Sequence, residues 1–570
     1  MTPRREFIRT TAATGLIAAL PGCATSTPRE GKKVASPTTL PRPMAANEEV
    51  RCAVIGLRGR GNNHLEALQR LQHVNVVALC DCDQAILDAR AGAYEKTWGR
   101  SIDAIADYRR LLERDDIHCI SIATPNHWHA LMTVEGCLAG KDVYVEKPPS
   151  HNVWEGRKMV EAARRYKRIV QVGTQNRSAP YVQKALEFIR GGGIGDIKVC
   201  KVFNMKNGGP YREPPAGTKP RGVDYDTWLG PAPKRTFSRA HFHGSWHKYW
   251  AYSGGDMADC GVHQLDIARW LCGVDFPSAV HASGGNFVHQ DDSEVPDTQI
   301  VTYEFKKMLM TFELTHWAPY MRKTNGQTRN GSVHPFWPQN ATRIEFYGTK
   351  KLMILGRHGG GWQVFTGDGK VDEQVFGRFP DPPHKANFIQ CIKNRKLPNA
   401  DIEEGHRSAV LVHLGNIAYR VGGRKLHFDK TTERFRTDKD ANALIKREYR
   451  EDWGNDWESR FSVDTVDGKP GNELRLNGKK LKTNFLRVGF DAADRWRLYS
   501  LREDFEPAMK IIAEDDITAS TVAPVRHTPK LGPGDWTESA KFVHNCEYRL
   551  FQRPDDAIIR GYDTVTERNF

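Results

Sequence analysis

Residues 50–61 read VRCAVIGLRGRG, an apolar run that ends in a loop with three glycines. A strand followed by a glycine-rich turn and a helix is the context of a dinucleotide-binding fingerprint. Gly56 permits the tight turn, and Gly61 lets the helix pack close to the strand. Arg58 replaces the middle glycine of the usual G-x-G-x-x-G pattern, so a close approach of a pyrophosphate to the backbone is not guaranteed. The candidate cofactor-binding residues of this loop are Gly56, Arg58, Gly59, Arg60 and Gly61.

Asp81 follows the next apolar run and strengthens the fingerprint. An acid at the end of the second strand can hold the adenosine ribose hydroxyls. Its charge repels a 2′-phosphate and therefore favours NAD, although Arg58 or Arg60 could still bind that phosphate. The expected cofactor is NAD or NADP, and the alternative is a Rossmann-like domain that holds no cofactor.

Short apolar runs alternate with helical patterns as far as about residue 173, which is typical of βαβ units and a parallel sheet. We therefore predict an α/β, doubly wound Rossmann domain over residues 47–173. The predicted strands are 52–55, 74–80, 119–123, 143–145 and 169–172, and the predicted helices are 63–72, 129–139 and 154–166.

Longer alternating segments follow and predict an α+β domain over residues 174–450. Such strands favour a large, mostly antiparallel open sheet with one exposed face. We expect the loop 207–221, rich in Gly and Pro, to lie at the surface. The predicted strands are 198–204, 279–288, 298–305, 309–316 and 343–347, and two helices are predicted at 384–393 and 402–421.

Two polar motifs follow the fourth and fifth predicted strands of the first domain, ATPNHWH at 123–129 and YVEKPP at 144–149. Ligands of such sheets bind outside the carboxyl ends of the strands. Lys147 precedes a proline that restricts its backbone and can adopt a cis bond. A fixed ammonium beside a nicotinamide could orient a substrate hydroxyl and stabilise charge on its oxygen. The candidate cofactor-side residues are Thr124, Pro125, Asn126, His129, Glu146 and Lys147.

The segment GGDMADCGVHQLD at 254–266 is the third candidate site. If a helix begins near Asp256, then Asp259, His263 and Asp266 lie on one face. A histidine in a cleft is a natural proton acceptor when an alcohol is oxidised. Asp259 could orient that imidazole or bind a substrate hydroxyl, and the predicted catalytic residues are Lys147, Asp259 and His263.

The segment HFHGSWHKYW at 241–250 raises the question of a metal site. His241, His243 and His247 could bind zinc, but a fourth ligand is not evident. We therefore expect no metal and read the aromatic residues as a sugar-binding wall or as core. The candidate substrate contacts are Trp246, His247, Tyr252 and Asp266.

Composition excludes several classes of protein. The 570 residues predict three to four structural units, and the net charge of +14 is dispersed among acidic residues. Because the chain shows no motif of a known nucleic-acid reader, we expect no nucleic-acid partner. The 11 cysteines include no CxxC pair, so buried free thiols are favoured over a disulfide framework.

Residues 1–46 are interpreted as an export signal and linker. Arg4 and Arg5 ahead of a short apolar core resemble a twin-arginine signal. LPGC at 20–23 resembles a lipoprotein cleavage box, which makes Cys23 a candidate for acylation. Plain cleavage or an uncleaved anchor are the alternatives. We expect an exported, periplasmic protein with a possible lipid anchor.

Beyond about Trp453 the composition becomes acidic, which predicts a separate appendage over residues 451–570. Aromatic residues such as Phe485, Trp496 and Phe551 argue against disorder throughout. The type of this segment is unknown from its sequence, and its end at Phe570 allows a truncated fusion.

The motifs GLRGRG, TPNHWH, VEKP and DCGVHQLD, in this order, resemble the Gfo/Idh/MocA oxidoreductase family over residues 51–450. The run EKPPSHNVWEGRKMVEAARRYKRIVQVGTQ resembles an exported bacterial subgroup of it. The resemblance implies a Rossmann domain, an open-sheet domain that binds sugar and often forms oligomers, and NAD or NADP as cofactor. Carried over by motif, it implies roles for Lys147, for the pair Asp259 and His263, for Asp81, for the loop residues Thr124, Pro125, Asn126 and His129, and for Glu146.

Three functions are compatible with these residues. The leading hypothesis is an NAD(P)-dependent oxidoreductase that acts on a secondary hydroxyl or keto group of a sugar, cyclitol or glycoside and holds its cofactor tightly. The second is a redox-neutral, NAD-dependent enzyme that cleaves glycosides. The third is a non-catalytic carbohydrate-binding protein with a structural dinucleotide. A homo-oligomer is expected in each case.

Overall fold

The computed structural model describes residues 42–450 and Trp453, together with the backbone of short strands between Arg475 and Asn569. The predicted signal, Cys23 and most of the linker lie outside the described residues. No helix in the described part of the chain is long and apolar enough to cross a membrane.

The first domain is a parallel sheet with helices on both faces. Its central strands are almost fully buried, because helices cover both sides and favour continuous apolar runs, whereas the edge strand β3 is largely exposed. The strands are β1 (Val50–Ile55), β2 (Val74–Cys80), β3 (Asp103–Ile105), β4 (Cys119–Ile122), β5 (Asp142–Val145) and β6 (Val170–Val172). The helices are α1 (Arg60–Gln69), α2 (Gln84–Trp98), α3 (Tyr108–Leu112), α4 (Asn126–Leu138) and α5 (Val153–Arg165).

The strand order is β3-β2-β1-β4-β5-β6, with every neighbouring pair parallel. This order is that of a doubly wound dinucleotide fold, whose ligand crevice lies beyond the carboxyl ends of β1 and β4. The predicted Rossmann fold is confirmed. Strand β3 was not predicted, because its three residues carry no buried apolar pattern.

The second domain is built on a large sheet. Its strands are β7 (Ile197–Met205), β8 (Ala279–Gly285), β9 (Thr298–Glu304), β10 (Leu309–Thr315), β11 (Arg343–Gly348), β12 (Leu352–Gly356), β13 (Trp362–Phe365), β14 (Val371–Val375), β15 (Leu426–Asp429) and β16 (Arg434–Phe435). The helices are α6 (Pro180–Arg190), α7 (Tyr225–Leu229), α8 (Val262–Cys272), α9 (Gly326–Arg329), α10 (Asp381–Asn394), α11 (Ile402–Arg420) and α12 (Lys439–Ala443). A π-helical turn (Met257–Gly261) precedes α8, and 3-10 turns lie at Gln175–Ser178, Ser245–Lys248 and Trp337–Gln339.

This sheet has the order β14-β13-β12-β11-β7-β10-β9-β8-β15-β16. Strands β7 and β10 are parallel, whereas the other neighbours described in it run antiparallel. Apolar residues of α6, α8 and α11 share one core with this sheet. On β9 and β10, Ile300 and Leu309 remain 49% and 45% exposed, so the predicted open face is present.

Helix α10 returns to the first domain. Phe388, Ile389 and Ile392 belong to the same core as Val54 of β1. The predicted helix at 384–393 is therefore confirmed, but its apolar side completes the Rossmann core rather than that of the large sheet.

The C-terminal segment contains antiparallel strand pairs. Their bounds are β17 (Arg475–Leu476), β18 (Lys479–Lys480), β19 (Phe485–Phe490), β20 (Trp496–Ser500), β21 (Thr537–His544), β22 (Cys546–Gln552), β23 (Ile559–Asp563) and β24 (Arg568–Asn569).

Candidate functional site

The glycine loop between β1 and α1 is shaped for close packing. Gly56 has a φ of +83°, and a Cβ there would lie 2.8 Å from the backbone of Ala123 at the end of β4. A Cβ on Gly61 would lie 1.7 Å from the carbonyl oxygen of Gly56. Beside Gly59 a Cβ would meet nothing within 4 Å. Gly56 and Gly61 thus perform the predicted packing, and the open space beside Gly59 can admit a pyrophosphate.

Asp81 lies where β2 ends and is bound to the same loop. One carboxylate oxygen accepts a hydrogen bond from the amide of Leu57 (2.9 Å), and the other accepts one from the amide of Asp83 (3.1 Å). Burial raises the pKa of Asp81 above its ordinary value, although these donors oppose the shift. Each oxygen retains a lone pair for a ribose hydroxyl, so the acid and the glycine cradle fit a dinucleotide.

The Arg60 guanidinium is already paired with two carboxylates of the protein. Its Nε lies 3.0 Å from Glu146, and its terminal nitrogens bind Asp381 at 2.8 and 2.5 Å. The exposed Arg58 makes no such pair among residues 42–450. Of the two arginines considered for a 2′-phosphate, Arg58 is therefore the one whose side chain is available.

Glu146 connects the cofactor side to the buried interior. It accepts hydrogen bonds from Arg60 and from His64 at 2.9 Å. Burial favours the neutral acid, but the charge of Arg60 and the bond from His64 outweigh it and hold the pKa of Glu146 well below its ordinary value. Glu146 is thus a carboxylate that anchors the loop before Lys147.

The TPN loop and the EKP loop are connected by His129. Its ring nitrogens lie 2.7 Å from the carbonyl oxygen of Pro148 and 2.8 Å from that of Thr124. Helix α4 begins at Asn126, with Pro125 as its N-cap residue, and the Asn126 amide donates to Ser253 at 2.8 Å. These contacts fix both loops at the domain boundary.

Lys147 reaches from the first domain to the second. The peptide bond between Lys147 and Pro148 is cis. The ammonium donates to Oδ1 and to the carbonyl oxygen of Asp259, both at 2.7 Å. Burial alone would lower the pKa of Lys147, but the carboxylate of Asp259 outweighs burial and raises it. Lys147 is therefore held as a cation.

Asp259 lies in the π-helical turn, and His263 lies in the first turn of α8. The Lys147 charge outweighs burial and lowers the pKa of Asp259. His263 is 5% exposed, and its Nδ1 is buried without a hydrogen-bond partner among the described residues. Burial, and then the charges of Arg357 and Lys147, hold the pKa of His263 well below its ordinary value. Its imidazole is therefore neutral and can accept a proton.

A cleft of about 610 Å³ joins these groups. Lys147, Asp259 and His263 line it together with every predicted cofactor residue except Gly61, which packs beneath the loop. Arg357 and Phe379 also line the cleft and were not predicted. Arg357 follows β12, in the stretch RHGGG, and it reaches the cleft through the pairing of β12 with β11 and β13, which no local sequence pattern indicates.

The four candidate substrate contacts occupy different places, and one of them lines the cleft. Trp246 lines the cleft. His247 does not line it, although the charge of Asp259 acts on its pKa, which burial lowers. Tyr252 is fully buried in an aromatic cluster with Trp228.

Asp266 faces away from the cleft. It lies fully buried in an ion pair with Arg177 at 2.9 Å and accepts a hydrogen bond from Ser408 at 2.6 Å. The π-helical turn changes the helical phase after Asp259, so the expected common face of Asp259, His263 and Asp266 does not form.

The three histidines of 241–247 have different surroundings. His241 bonds to the hydroxyl of Tyr225 (2.6 Å), and His243 bonds to Asp83 (2.7 Å). In the described part of the chain, the one group with the spacing of a metal site is Asp256, Asp259 and Cys260. Lys206 bonds to Asp256 and Cys260 (2.8 and 2.7 Å), and Lys147 bonds to Asp259, so lysine ammonium groups already neutralise these acids.

Comparison with known proteins divides the chain in two. The PPi-type phosphoenolpyruvate carboxykinase of Propionibacterium freudenreichii is 50% identical over 131 residues, which are 23% of this chain and 11% of that protein. Family models described as "PPi-type phosphoenolpyruvate carboxykinase lobe 2 domain" and "PEPCK-like middle domain" match residues 439–476 and 485–570. The predicted appendage thus resembles part of a carboxykinase, and the chain spans about a tenth of that relative's length.

The remainder resembles oxidoreductases. The uncharacterized oxidoreductase YrbE of Bacillus subtilis is 26% identical over 265 residues, 46% of this chain and 66% of that protein. Glycosyl hydrolase family 109 protein 2 of Shewanella sp. strain ANA-3 is 34% identical over 167 residues, 28% of this chain and 36% of that protein.

A solved structure shares the fold. The WlbA dehydrogenase from Chromobacterium violaceum, in complex with NADH and UDP-GlcNAcA, superposes with a TM-score of 0.51 at 21% identity. The match covers 68% of this chain and 99% of that one.

Two further family models match the part that carries the cleft. The model described as "Oxidoreductase family, NAD-binding Rossmann fold" matches residues 50–174. The model of the C-terminal alpha/beta domain of the same family matches residues 210–327 and 345–455, so the two together cover more than half of the chain. Over residues 50–455 the chain therefore belongs to the Gfo/Idh/MocA family of NAD-binding oxidoreductases.

Proposed function

We propose that the protein transfers hydride between NAD(P) and a secondary hydroxyl or keto group of a sugar, cyclitol or glycoside. One observation carries the proposal. Lys147, Asp259 and His263 line the same cleft as the glycine loop and Asp81. The residues for proton transfer and those for holding a dinucleotide thus face one shared space.

The charge states assign the roles. His263 is neutral and accepts the hydroxyl proton through the ring nitrogen that is not buried. Lys147 is cationic and stabilises the negative charge that develops on the substrate oxygen as its proton leaves. Asp259 holds the ammonium in place. A dinucleotide held by the glycine loop and Asp81 would supply the hydride acceptor. The C–H and O–H bonds of the alcohol would then break to give a ketone, the reduced cofactor and a proton on His263.

A panel of sugars, cyclitols and glycosides tests this proposal. We expect NADH or NADPH absorbance to appear together with a keto product for at least one compound. Absence of turnover with every compound and both cofactors, in protein that binds the dinucleotide, contradicts the proposal.

A second candidate is supported by the Shewanella glycosyl hydrolase family 109 relative. Transient oxidation of a glycoside followed by elimination would release free sugar and leave the cofactor unchanged. Free sugar without net NADH identifies this reaction, whereas stoichiometric NADH identifies a dehydrogenase. If Lys147→Met combined with His263→Ala preserves the biological role, the third candidate, a non-catalytic sugar-binding protein, gains support instead.

We further propose that the protein is exported and keeps its cofactor. The twin-arginine pathway moves folded proteins, and a periplasmic enzyme cannot draw on a cytoplasmic pool of dinucleotide. Contacts over the adenosine end are consistent with slow release. Residues 222–224 pair with the end of β2, because Gly222 accepts from the Gln84 amide (3.1 Å) and the Asp224 amide donates to Cys82 (2.9 Å).

His243 adds a side-chain contact there, at 2.7 Å from Asp83. We expect the purified protein to retain dinucleotide through dialysis and His243→Ala to release it faster. His289→Ala, at a histidine of the second domain outside the cleft, serves as the control. Mass spectrometry of undialysed protein also tests acylation of Cys23.

We also propose a homo-oligomer that uses the open face of the large sheet, where Ile300 and Leu309 are half exposed. Light scattering of the wild type and of the Ile300→Glu, Leu309→Glu variant tests this. A monomeric wild-type protein contradicts it.

A further inference from the structure

Arg357 is a buried cation at the cleft with unused hydrogen-bonding capacity. Its side chain lies at the end of β12, and the residue is 6% exposed. Its Nε and Nη1 have no hydrogen-bond partner among the described residues. The guanidinium does have a hydrogen-bonding contact with Cys260. A buried cation whose other nitrogens are unpaired costs free energy, so Arg357 has the character of an anion-binding residue.

The backbone beneath Arg357 is fixed. The hydroxyl of Tyr181 is within hydrogen-bonding distance of the carbonyl oxygens of Gly356 (2.8 Å) and Arg357 (3.2 Å). Gly359, Gly360 and Gly361 then turn the chain with φ of +87°, +80° and +69°. The glycine turn and the Tyr181 contact together fix the backbone position from which the Arg357 side chain extends.

The charges around Arg357 leave a positive surplus. Asp256 and Asp259 are the acids whose fields act on it, and each is already paired with a lysine, Lys206 or Lys147. In residues 42–450 no carboxylate lies within ion-pair distance of Arg357. The two carboxylates are thus matched by the two lysines, and the charge of Arg357 is left without a carboxylate of its own.

We propose that Arg357 binds an anionic group of the substrate, so that the preferred substrate is a sugar acid or its glycoside rather than a neutral sugar. This inference rests on the proposed oxidoreductase function and deepens it. The shared chemistry is an oxyanion, which a carboxylate, a phosphate ester or a sulfate ester can supply. A charge-assisted hydrogen bond to such a group contributes about 10- to 100-fold in affinity.

The experiment compares matched sugars on the NAD(P)-loaded protein. Glucuronate, glucose 6-phosphate and glucose 6-sulfate are each compared with glucose, by kcat/KM and by calorimetric titration. At least one anionic sugar is expected to exceed glucose by about 10-fold or more, and the identity of that sugar distinguishes the sources of the oxyanion. Arg357→Met is expected to bring the ratio to about one, and Arg357→Lys to restore part of it.

Two controls make the result decisive. Arg190→Met removes an exposed cation of α6, outside the cleft, and is expected to leave the ratio unchanged. Calorimetry requires no turnover, so binding of an anionic sugar that depends on Arg357 supports the inference even if oxidation fails. Equal binding of charged and neutral sugars, or an equal loss of both in Arg357→Met, overturns it.

Discussion

The ammonium of Lys147 lies 2.7 Å from Oδ1 of Asp259 and 2.7 Å from the carbonyl oxygen of the same residue. Two segments that are distant in the chain thus meet across the cleft. One follows a strand of the Rossmann sheet, and the other is a π-helical turn, a feature frequent at functional sites. The pair sets the position of a positive charge beside a neutral histidine, which is what removal of a hydroxyl proton requires.

Replacing Lys147 by Met is expected to lower kcat/KM for oxidation by about 10²- to 10³-fold, because the developing oxyanion loses its cation. The dissociation constant of the dinucleotide should change little, since Lys147 bonds to Asp259 across the cleft. Steady-state kinetics and a cofactor titration measure both. Lys198→Met, at an exposed lysine paired with Asp196, is the matched control, and a similar loss there would assign the effect to folding.

The pH profile of oxidation is expected to report His263. Its pKa lies well below the ordinary value of about 6.5, so the reactive neutral imidazole persists at mildly acidic pH. We expect kcat/KM to stay level from about pH 8 to about pH 6.5 and to fall only below that range. In Lys147→Met the acid limb should move to higher pH, because one of the charges that disfavour the imidazolium is gone. An acid limb above neutrality in the wild type would contradict this assignment.

Asp81 is expected to control the choice of cofactor. Its carboxylate lies at the adenosine end, and Arg60 is committed to Glu146 and Asp381. Asp81→Ala should raise the ratio of kcat/KM for NADP over NAD by about tenfold, the equivalent of removing one charge repulsion of about 1.4 kcal/mol. Asp88→Ala, at an exposed acid of α2, should leave the ratio unchanged, and a shift there as large as at Asp81 would point to a long-range charge effect.

The sequence predicted those strands and loops that are encoded by a short, continuous run of residues. The buried strands β1, β2, β4 and β5 are apolar runs that can be recognised in the sequence. The glycine loop follows β1 and the EKP loop follows β5, so both could be assigned to the ligand crevice, which lies beyond the carboxyl ends of the strands in open α/β sheets. Strand β14 was not predicted, because VDEQV is largely exposed and pairs at a sheet edge.

The site was predictable only in part, for the same reason. Lys147 and His263 stand in recognisable motifs, whereas Arg357 reaches the cleft through the pairing of distant strands. Asp266 was misplaced because a regular helix was assumed where the chain makes a π-turn.

Asp266 is expected to stabilise the fold rather than serve the reaction. Asp266→Ala leaves Arg177, which is 3% exposed, without its main partner, and breaking such a buried pair costs about 3 kcal/mol of unfolding free energy. Urea denaturation measures this value. Asp196→Ala, which breaks an exposed pair with Lys198, should have little effect on this free energy. Equal losses in the two variants would show that burial of the Asp266 pair has no special effect.

The oxidoreductase family match and the carboxykinase-like match overlap at residues 439–455, and this overlap leads to a prediction about truncated chains. Residues within this stretch pack on the Rossmann domain. Arg447 Nε lies 2.9 Å from the fully buried Glu155 carboxylate, and Trp453 packs edge-on against Trp128 with ring centroids 5.0 Å apart. The oxidoreductase family model extends to residue 455, which includes these contacts.

A chain ending at residue 455 should therefore keep the melting temperature of the cofactor-binding unit and its affinity for dinucleotide. A chain ending at residue 438 should lose both, because the Glu155 carboxylate would lose its ion pair with Arg447 and its hydrogen bond from Tyr449, at a cost of about 3 kcal/mol. Thermal unfolding with and without dinucleotide compares the two chains, and Arg447→Met in the full chain isolates the ion pair. If the chain ending at 455 unfolds as readily as the one ending at 438, the carboxykinase-like segment itself stabilises the oxidoreductase, and the boundary inferred from the packing of Arg447 and Trp453 is wrong.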